Sequence, residues 1–319
     1  MLQDPAPKRV RIRAKGRMYH LMPAPASATT WRMPPRASSP LSAIPVLYAR
    51  EMVAEFESFS PSAAKPRPVV ESWHMLGIPL DVIVPTPVTH TELVRAHSAQ
   101  FVEGVLEGRI ANGFGNRSSE VATSVLWTCG AMLAAARTAI SNGRVAAAPC
   151  AGFHHARHDR VGAFCTFNGL MVAALALVAE GQARRVGILD FDEHYGDGTD
   201  DILNRIYQPP IVHYSAGLHY TRRAQAGSFL DAIPVLLEPF SGCDVILYQA
   251  GADPHIHDPL GGWLTTAQLA ERDLRVFTAA RAMGVPVAWN LAGGYQEPLR
   301  KVLDIHDNTM RACGATYLC

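Results

Sequence analysis

The sequence predicts an α/β protein built around a parallel sheet, and three observations carry that prediction. Short apolar runs recur at 145–150, 186–190, 245–249 and 285–291, the pattern of strands buried on both faces of a sheet. Between them lie stretches of helical length and composition, so strand and helix alternate. Each run also leads into a residue able to bind metal, move a proton or polarise a carbonyl: His154-His155, Asp190 to His194, Asp253 and Tyr295. In open α/β sheets ligands bind beyond the carboxyl ends of the strands. Four such ends describe a metal-dependent active site.

Taken in order, 44–48 reads as a first strand. Residues 50–56 and 69–76 read as helical around a Pro-rich connection, Lys65-Pro66-Arg67-Pro68. Residues 91–106 place Leu93, Val94, Phe101, Val102 and Val105 at amphipathic helical spacing. Asn112-Gly113-Phe114-Gly115-Asn116 is a loop by composition. The Ala-rich segment 121–140 is a buried helix, and 145–150 is the first strand feeding the site. A second buried helix spans 168–180 and stops at Gly181. A Gly-rich turn after Asp192 leads to a short helix at 201–206, then a strand at 211–214 and a loop through 217–228. Strand 244–249, helix 266–283, strand 285–291 and a helix at 298–313 complete the order. No internal repeat is visible.

The 319 residues are 48% hydrophobic, the content of a core-forming globular chain. No stretch of about 18 uninterrupted apolar residues occurs, which argues against a membrane span. The six cysteines, at 129, 150, 165, 243, 313 and 319, form no CxxC pair. That argues against thiolate zinc and a disulfide framework, and for a reducing, cytoplasmic location.

Charge is unevenly spread. Residues 1–40 hold eight Lys or Arg against Asp4 alone, a local charge of +7, and the remainder sums to −6. With seven prolines and no helical period, 1–41 reads as a basic, poorly ordered extension, and 42–319 as the catalytic domain. A solvated tail is the first reading of the extension; weak nucleic-acid binding and an Arg-rich targeting role are the others. The body carries no basic stripe for a phosphate backbone.

Asp190, Asp192 and His194 alternate by two, so on a strand they share one face. Asp192 and His194, with Asp253 from another strand, supply two carboxylates and an imidazole. Three protein ligands with one position open is the catalytic zinc arrangement. His154 and His155 suit acid–base work beside it, with Asp190 and Asp197 available to orient them. Tyr295, after Gly293-Gly294, can donate its hydroxyl to a developing oxyanion.

These residues carry a resemblance. Gly152-Phe153-His154-His155-Ala156, Ala163-Phe164-Cys165-Thr166-Phe167-Asn168, Leu189-Asp190-Phe191-Asp192-Glu193-His194-Tyr195-Gly196-Asp197-Gly198-Thr199, Ala250-Gly251-Ala252-Asp253, Asp258-Pro259-Leu260-Gly261 and Gly293-Gly294-Tyr295 resemble the zinc-dependent histone deacetylase family. That family includes bacterial deacetylase-like amidohydrolases and acetylpolyamine amidohydrolases. The resemblance implies a three-layer α/β/α fold of the arginase/deacetylase type, with a central parallel sheet of about eight strands. It implies zinc on Asp192, His194 and Asp253, and a structural potassium held by main-chain oxygens around Asp190, Asp192 and His194. His155 resembles the proton shuttle, oriented by Asp197. His154, paired with Asp190, resembles its electrostatic partner, and Tyr295 the carbonyl-polarising hydroxyl. Phe164 resembles one wall of an acyl-lysine tunnel, with Ala163, Leu260 and Gly293 beside the substrate. The implied activity is removal of acetyl or longer acyl groups from lysine side chains of peptides or proteins, with small acylated amines as the alternative substrate.

The sequence departs from the family pattern in several places. Tyr195 stands where many members have a second His, and Ala163 where Gly precedes the tunnel Phe. Ala224-Gln225-Ala226-Gly227-Ser228 supplies no second aromatic wall. Gly115-Asn116-Arg117-Ser118-Ser119 contains no substrate-gripping Asp, and Leu260 replaces the acidic gatekeeper of the polyamine-selective type. Two rival readings remain. A binuclear manganese ureohydrolase wants a bridging Asp where Gly196 stands, and a non-catalytic binding module would be expected to lose a ligand or the Tyr. His255 and His257 read as solvated loop residues, and His97 as packing or capping.

Overall fold

The structure is a computed structural model and describes residues 13–14, 17–18 and 40–319. The chain divides into two units, Met1–Arg36 and Ala37–Cys319. In the first, β1 (Arg13–Ala14) pairs antiparallel with β2 (Arg17–Met18). The rest of the basic extension lies outside the described residues.

The second unit contains a sheet of seven strands among the described residues, against the eight or so expected. They are β3 (Ile44–Leu47), β4 (Leu80–Ile83), β5 (Val145–Ala148), β6 (Val186–Asp190), β7 (Ile211–Ser215), β8 (Val245–Gln249) and β9 (Val287–Asn290). Their spatial order is β4-β3-β5-β9-β8-β6-β7, and every pair is parallel. Alternate residues face opposite layers, as the two-residue period of a strand requires. Val145 and Ala147 of β5, Ile246 and Tyr248 of β8, and Val287 and Trp289 of β9 enter one core. Ala146, Ala148, Val245, Leu247 and Ala288 enter the other.

Nine helices among the described residues supply the outer layers: α1 (Pro66–His74), α2 (His90–Leu93), α3 (Ala99–Leu106), α4 (Ser119–Asn142), α5 (Gly169–Ala179), α6 (Asp197–Leu203), α7 (Ala226–Leu237), α8 (Thr266–Met283) and α9 (Arg300–Tyr317). Trp73 of α1, Phe229 of α7, Phe277 of α8 and Val302 of α9 pack in the first core. Phe101 of α3, Met132 of α4 and Leu170 of α5 pack in the second. Helix α4 is long and apolar enough to cross a membrane by length and composition. Here its buried stretch, Thr128–Leu133 followed by Ala135, Ala136 and Ala139, lies within the core. Five of the cysteines are buried as free thiols and Cys319 is exposed.

Several expected elements differ. The helix expected at 50–56 is a 3-10 turn, Arg50–Met52, followed by coil. The helix expected over 91–106 breaks in two, because Ser98 accepts from the Phe101 amide and starts α3 afresh. Strand β4 gave no apolar run because it is an edge strand with a half-exposed pattern. The short helix after Asp192 begins at Asp197 rather than 201. The loop expected through 228 ends earlier, since α7 starts at Ala226.

Candidate active site

Strands β5, β9, β8 and β6 are neighbours at the centre of the sheet. Their carboxyl ends bring His154-His155, Tyr295, Asp253 and Asp192-His194 into one place. The ligand atoms of Asp192, His194 and Asp253 all lie within 4.8 Å of one another. His194 Nδ1 is 3.2 Å from both Asp192 Oδ1 and Asp253 Oδ2, while its Nε2 donates to the Leu260 carbonyl at 3.1 Å. A backbone partner on one ring nitrogen aims the other at the two carboxylates.

This donor set is built for a cation. Hydrogen bonds that the two carboxylates accept from the ring raise the His194 pKa to about 11, despite partial burial. Burial acts to raise Asp192, but His154 and His194 outweigh it and hold it below the usual carboxylate range. Burial and the Asp192 charge push Asp253 upward. Neighbouring glycines let the ligands converge. A Cβ at Gly293 would lie 2.2 Å from Asp253 Oδ2, and one at Gly251 would lie 2.7 Å from Asp253 Oδ1. The Gly293 amide also donates to Asp192 Oδ2 at 2.9 Å. The residues therefore fit a zinc ion with three protein ligands.

The two histidines differ in environment. His154 is buried and its Nδ1 donates to Asp190 Oδ2 at 2.8 Å. Burial alone would lower its pKa, yet Asp190 and Asp192 carry it up to about 9. His155 Nδ1 donates to Asp197 Oδ1 at 2.7 Å, at the first turn of α6. Burial and the charge on His154 lower its pKa, so His155 is neutral at pH 7, with Nε2 free to act as a base. Arg157 pairs with the second oxygen of Asp197. Burial, then Asp253 and Asp192, keep the Tyr295 hydroxyl protonated, in the form of a hydrogen-bond donor.

Other positions are also fixed. Tyr195 donates to Asp200, which also accepts from His213, so the residue replacing the second His points into α6. A Cβ at Gly196 would sit 2.6 Å from Asp190 Oδ2, leaving no room for the bridging carboxylate of a binuclear site. Ala163 and Phe164 have φ of 32° and 63°, a region L-residues rarely adopt. Leu260 is 40% exposed. His97 is buried, with Nδ1 on the Arg157 carbonyl at 2.8 Å and Nε2 accepting from the Asn168 amide at 2.9 Å. His257 is exposed as expected. His255 is instead buried and bonded to Thr266 at 2.9 Å, because the loop folds back on the start of α8.

Two supporting residues, Lys65 and Arg272, were not singled out from sequence, and a third, Asp258, entered only as part of a motif of the resemblance. Lys65, read as part of a connection, is fully buried and donates to the Ala292 carbonyl at 2.8 Å. Burial lowers its pKa to about 8 against the pull of Asp253, Asp192 and Asp258. Arg272 of α8 is buried and donates to the Phe191 and Gly251 carbonyls at 3.0 and 2.8 Å, tying together the ends of β6 and β8 that lead into the candidate metal ligands. Asp258 accepts from the amides of Tyr295 and Leu260 at 2.8 and 3.0 Å. A Lys opening a Pro-rich connection and an Arg in a helix are ordinary surface residues by sequence.

The sequence model for the histone deacetylase domain matches residues 62–224, and the chain belongs to that family, whose members are hydrolytic deacetylases. An uncharacterised protein of Picosynechococcus is 27% identical, with 79% of this chain and 93% of that protein covered. Histone deacetylase 2 of Arabidopsis thaliana and acetylpolyamine amidohydrolase 1 of Pseudomonas aeruginosa are each 28% identical over 172 residues. Those matches cover 48% and 44% of this chain and 44% and 48% of the two relatives, so the chain spans about half the length of each. The crystal structure of the HDA15 HD domain has the same fold, with a TM-score of 0.72 at 20% identity over 87% of this chain and 90% of that one.

Proposed function

We propose that this protein is a zinc-dependent amidohydrolase that removes acetyl or longer acyl groups from lysine side chains of peptides or proteins. The observation that carries the reading is the convergence of Asp192, His194 and Asp253 within 4.8 Å, beside a neutral, carboxylate-oriented His155 and a protonated Tyr295. When bound, zinc supplies Lewis acidity, drawing electron density from the amide carbonyl and from water. His155 Nε2 takes the proton of the attacking water and returns it to the departing amine. Asp197 holds the His155 ring and favours its charged state during transfer. Asp190 and Asp192 keep the His154 ring cationic, which favours the negative charge that grows on the carbonyl oxygen during attack. Tyr295 donates its hydroxyl to the carbonyl oxygen as that oxygen becomes anionic.

Small acylated amines are the second reading, favoured by the likeness to an acetylpolyamine amidohydrolase. Leu260 opposes it, because it offers a secondary ammonium no negative charge, and an unpaired charge is costly to desolvate. The test is a substrate panel on zinc-loaded protein, scored by kcat/KM. Acyl-lysine peptides are expected to exceed acetylputrescine and acetylspermidine. Failure to cleave any acetyl-, trifluoroacetyl- or longer acyl-lysine reporter would sink the proposal.

A further inference from the structure

The sequence supplies one aromatic wall, Phe164, and none at Ala226, which is buried at the start of α7. A second ring arrives from another part of the chain. Phe59 stacks on Tyr295 with centroids 5.9 Å apart and 17° between planes, and on Phe164 at 6.3 Å and 27°. Phe164 and Tyr295 are themselves 5.9 Å apart, so the three rings close a triangle that includes the ring of Tyr295. Phe114 supports Phe164 from the side at 6.0 Å, and Phe56 meets Phe114 edge-on at 5.2 Å.

Phe59 nevertheless remains 59% exposed. It lies in coil on a short arm held at both ends. The Ala54 amide donates to the Ala63 carbonyl, and buried Ser60 caps the 3-10 turn Pro61–Ala63. Carbon atoms in contact lie about 3.5–4 Å apart, so two parallel rings gripping an aliphatic chain stand about 7–8 Å apart. The observed separations of 5.9 and 6.3 Å are shorter. A methylene chain passes between these rings only when one of them moves, and Phe59 is the most exposed of the three.

We propose that Phe59 is a specificity-determining gate: its ring covers the entrance, turns outward to admit a linear methylene stem, and grips that stem against Phe164. It takes the place of the aromatic wall missing at Ala226. The substrate class follows, an acyl group on an unbranched stem such as the lysine side chain. This rests on the amidohydrolase reading for its chemistry but not for its binding.

The experiment uses the zinc-loaded full chain with Phe59→Ala and Phe59→Trp. For an acetyl-lysine peptide, Phe59→Ala should raise KM at least fivefold, with the loss carried in KM rather than kcat, and Phe59→Trp should restore KM to within twofold of wild type. Binding is read separately from the emission of the Phe59→Trp variant, against wild type as background. The probe is a peptide carrying the uncleaved methyl-ketone isostere of acetyl-lysine. Emission should change with the full stem and not with a stem two methylenes shorter. An unchanged KM in Phe59→Ala, or emission indifferent to both probes, overturns the proposal. Emission that responds to stem length in a protein that cleaves no acyl-lysine supports the gate and refutes the amide reading.

Discussion

The Tyr295 amide donates to Asp258 Oδ2 at 2.8 Å, and the other oxygen of the same carboxylate accepts from Leu260. The Leu260 carbonyl in turn accepts from His194. One buried carboxylate thus sets the backbone that carries Tyr295, the proposed oxyanion donor, and the loop that orients His194, a proposed metal ligand. Asp258→Ala should lower kcat by about 10- to 100-fold, the scale of a misplaced catalytic group, while zinc content stays at the wild-type level. Asp258→Asn, which keeps one acceptor oxygen, should fall between them. Elemental analysis beside steady-state kinetics checks this.

Asp253→Ala and Tyr295→Phe should separate the two halves of the site. Asp253→Ala should lose zinc and activity together, since two remaining ligands hold the metal poorly. Tyr295→Phe should keep zinc and lose about 10²–10³-fold in kcat, the scale of one oxyanion donor. Equal metal loss in both variants would contradict the division.

Leu260→Glu should shift selectivity toward charged amines. A half-exposed carboxylate is worth up to about 1 kcal/mol to a facing ammonium. The kcat/KM ratio of acetylputrescine to acetyl-lysine peptide should therefore rise about fivefold.

Burial holds the His97 pKa down to about 4, from an ordinary 6.5, so the folded chain keeps the ring neutral. The sign is that of a depressed group. Its stabilising effect is complete above pH 6.5 and is lost as pH falls through about 4, roughly 3 kcal/mol over that window. Denaturant unfolding at pH 7 and pH 4.5 should give a smaller acid loss for His97→Asn than for wild type, although the variant is less stable at pH 7.

Ala163 sits at φ 32° with an exposed side chain. Ala163→Gly removes that strain and surrenders no packing. After the added chain entropy of glycine, it should gain about 0.5–1 kcal/mol, read as a higher denaturation midpoint.

The sequence by itself determined the parallel sheet, the helical layers and which candidate site residues would meet, because those residues follow strand ends where an apolar run stops. Asp192 and His194 are two apart on one chain, so their meeting is a matter of strand period. Their approach to Asp253 depends on β6 and β8 being neighbours, which the family resemblance supplied and periodicity could not. Tertiary structure alone decided the rest. Lys65 and Arg272 act through burial against backbone carbonyls far away in sequence, and no local pattern marks them; Asp258 entered only within a motif of the resemblance, and its bond to the Tyr295 amide is a tertiary contact. Phe59 is the same case at the entrance: an aromatic in a coil carries no periodic signal, and only the packing of its arm against Phe164 and Tyr295 makes it a wall. The break at Ser98 and the edge strand β4 were missed for the converse reason. A cap outweighed helical spacing in one, and half-exposure erased the apolar run in the other.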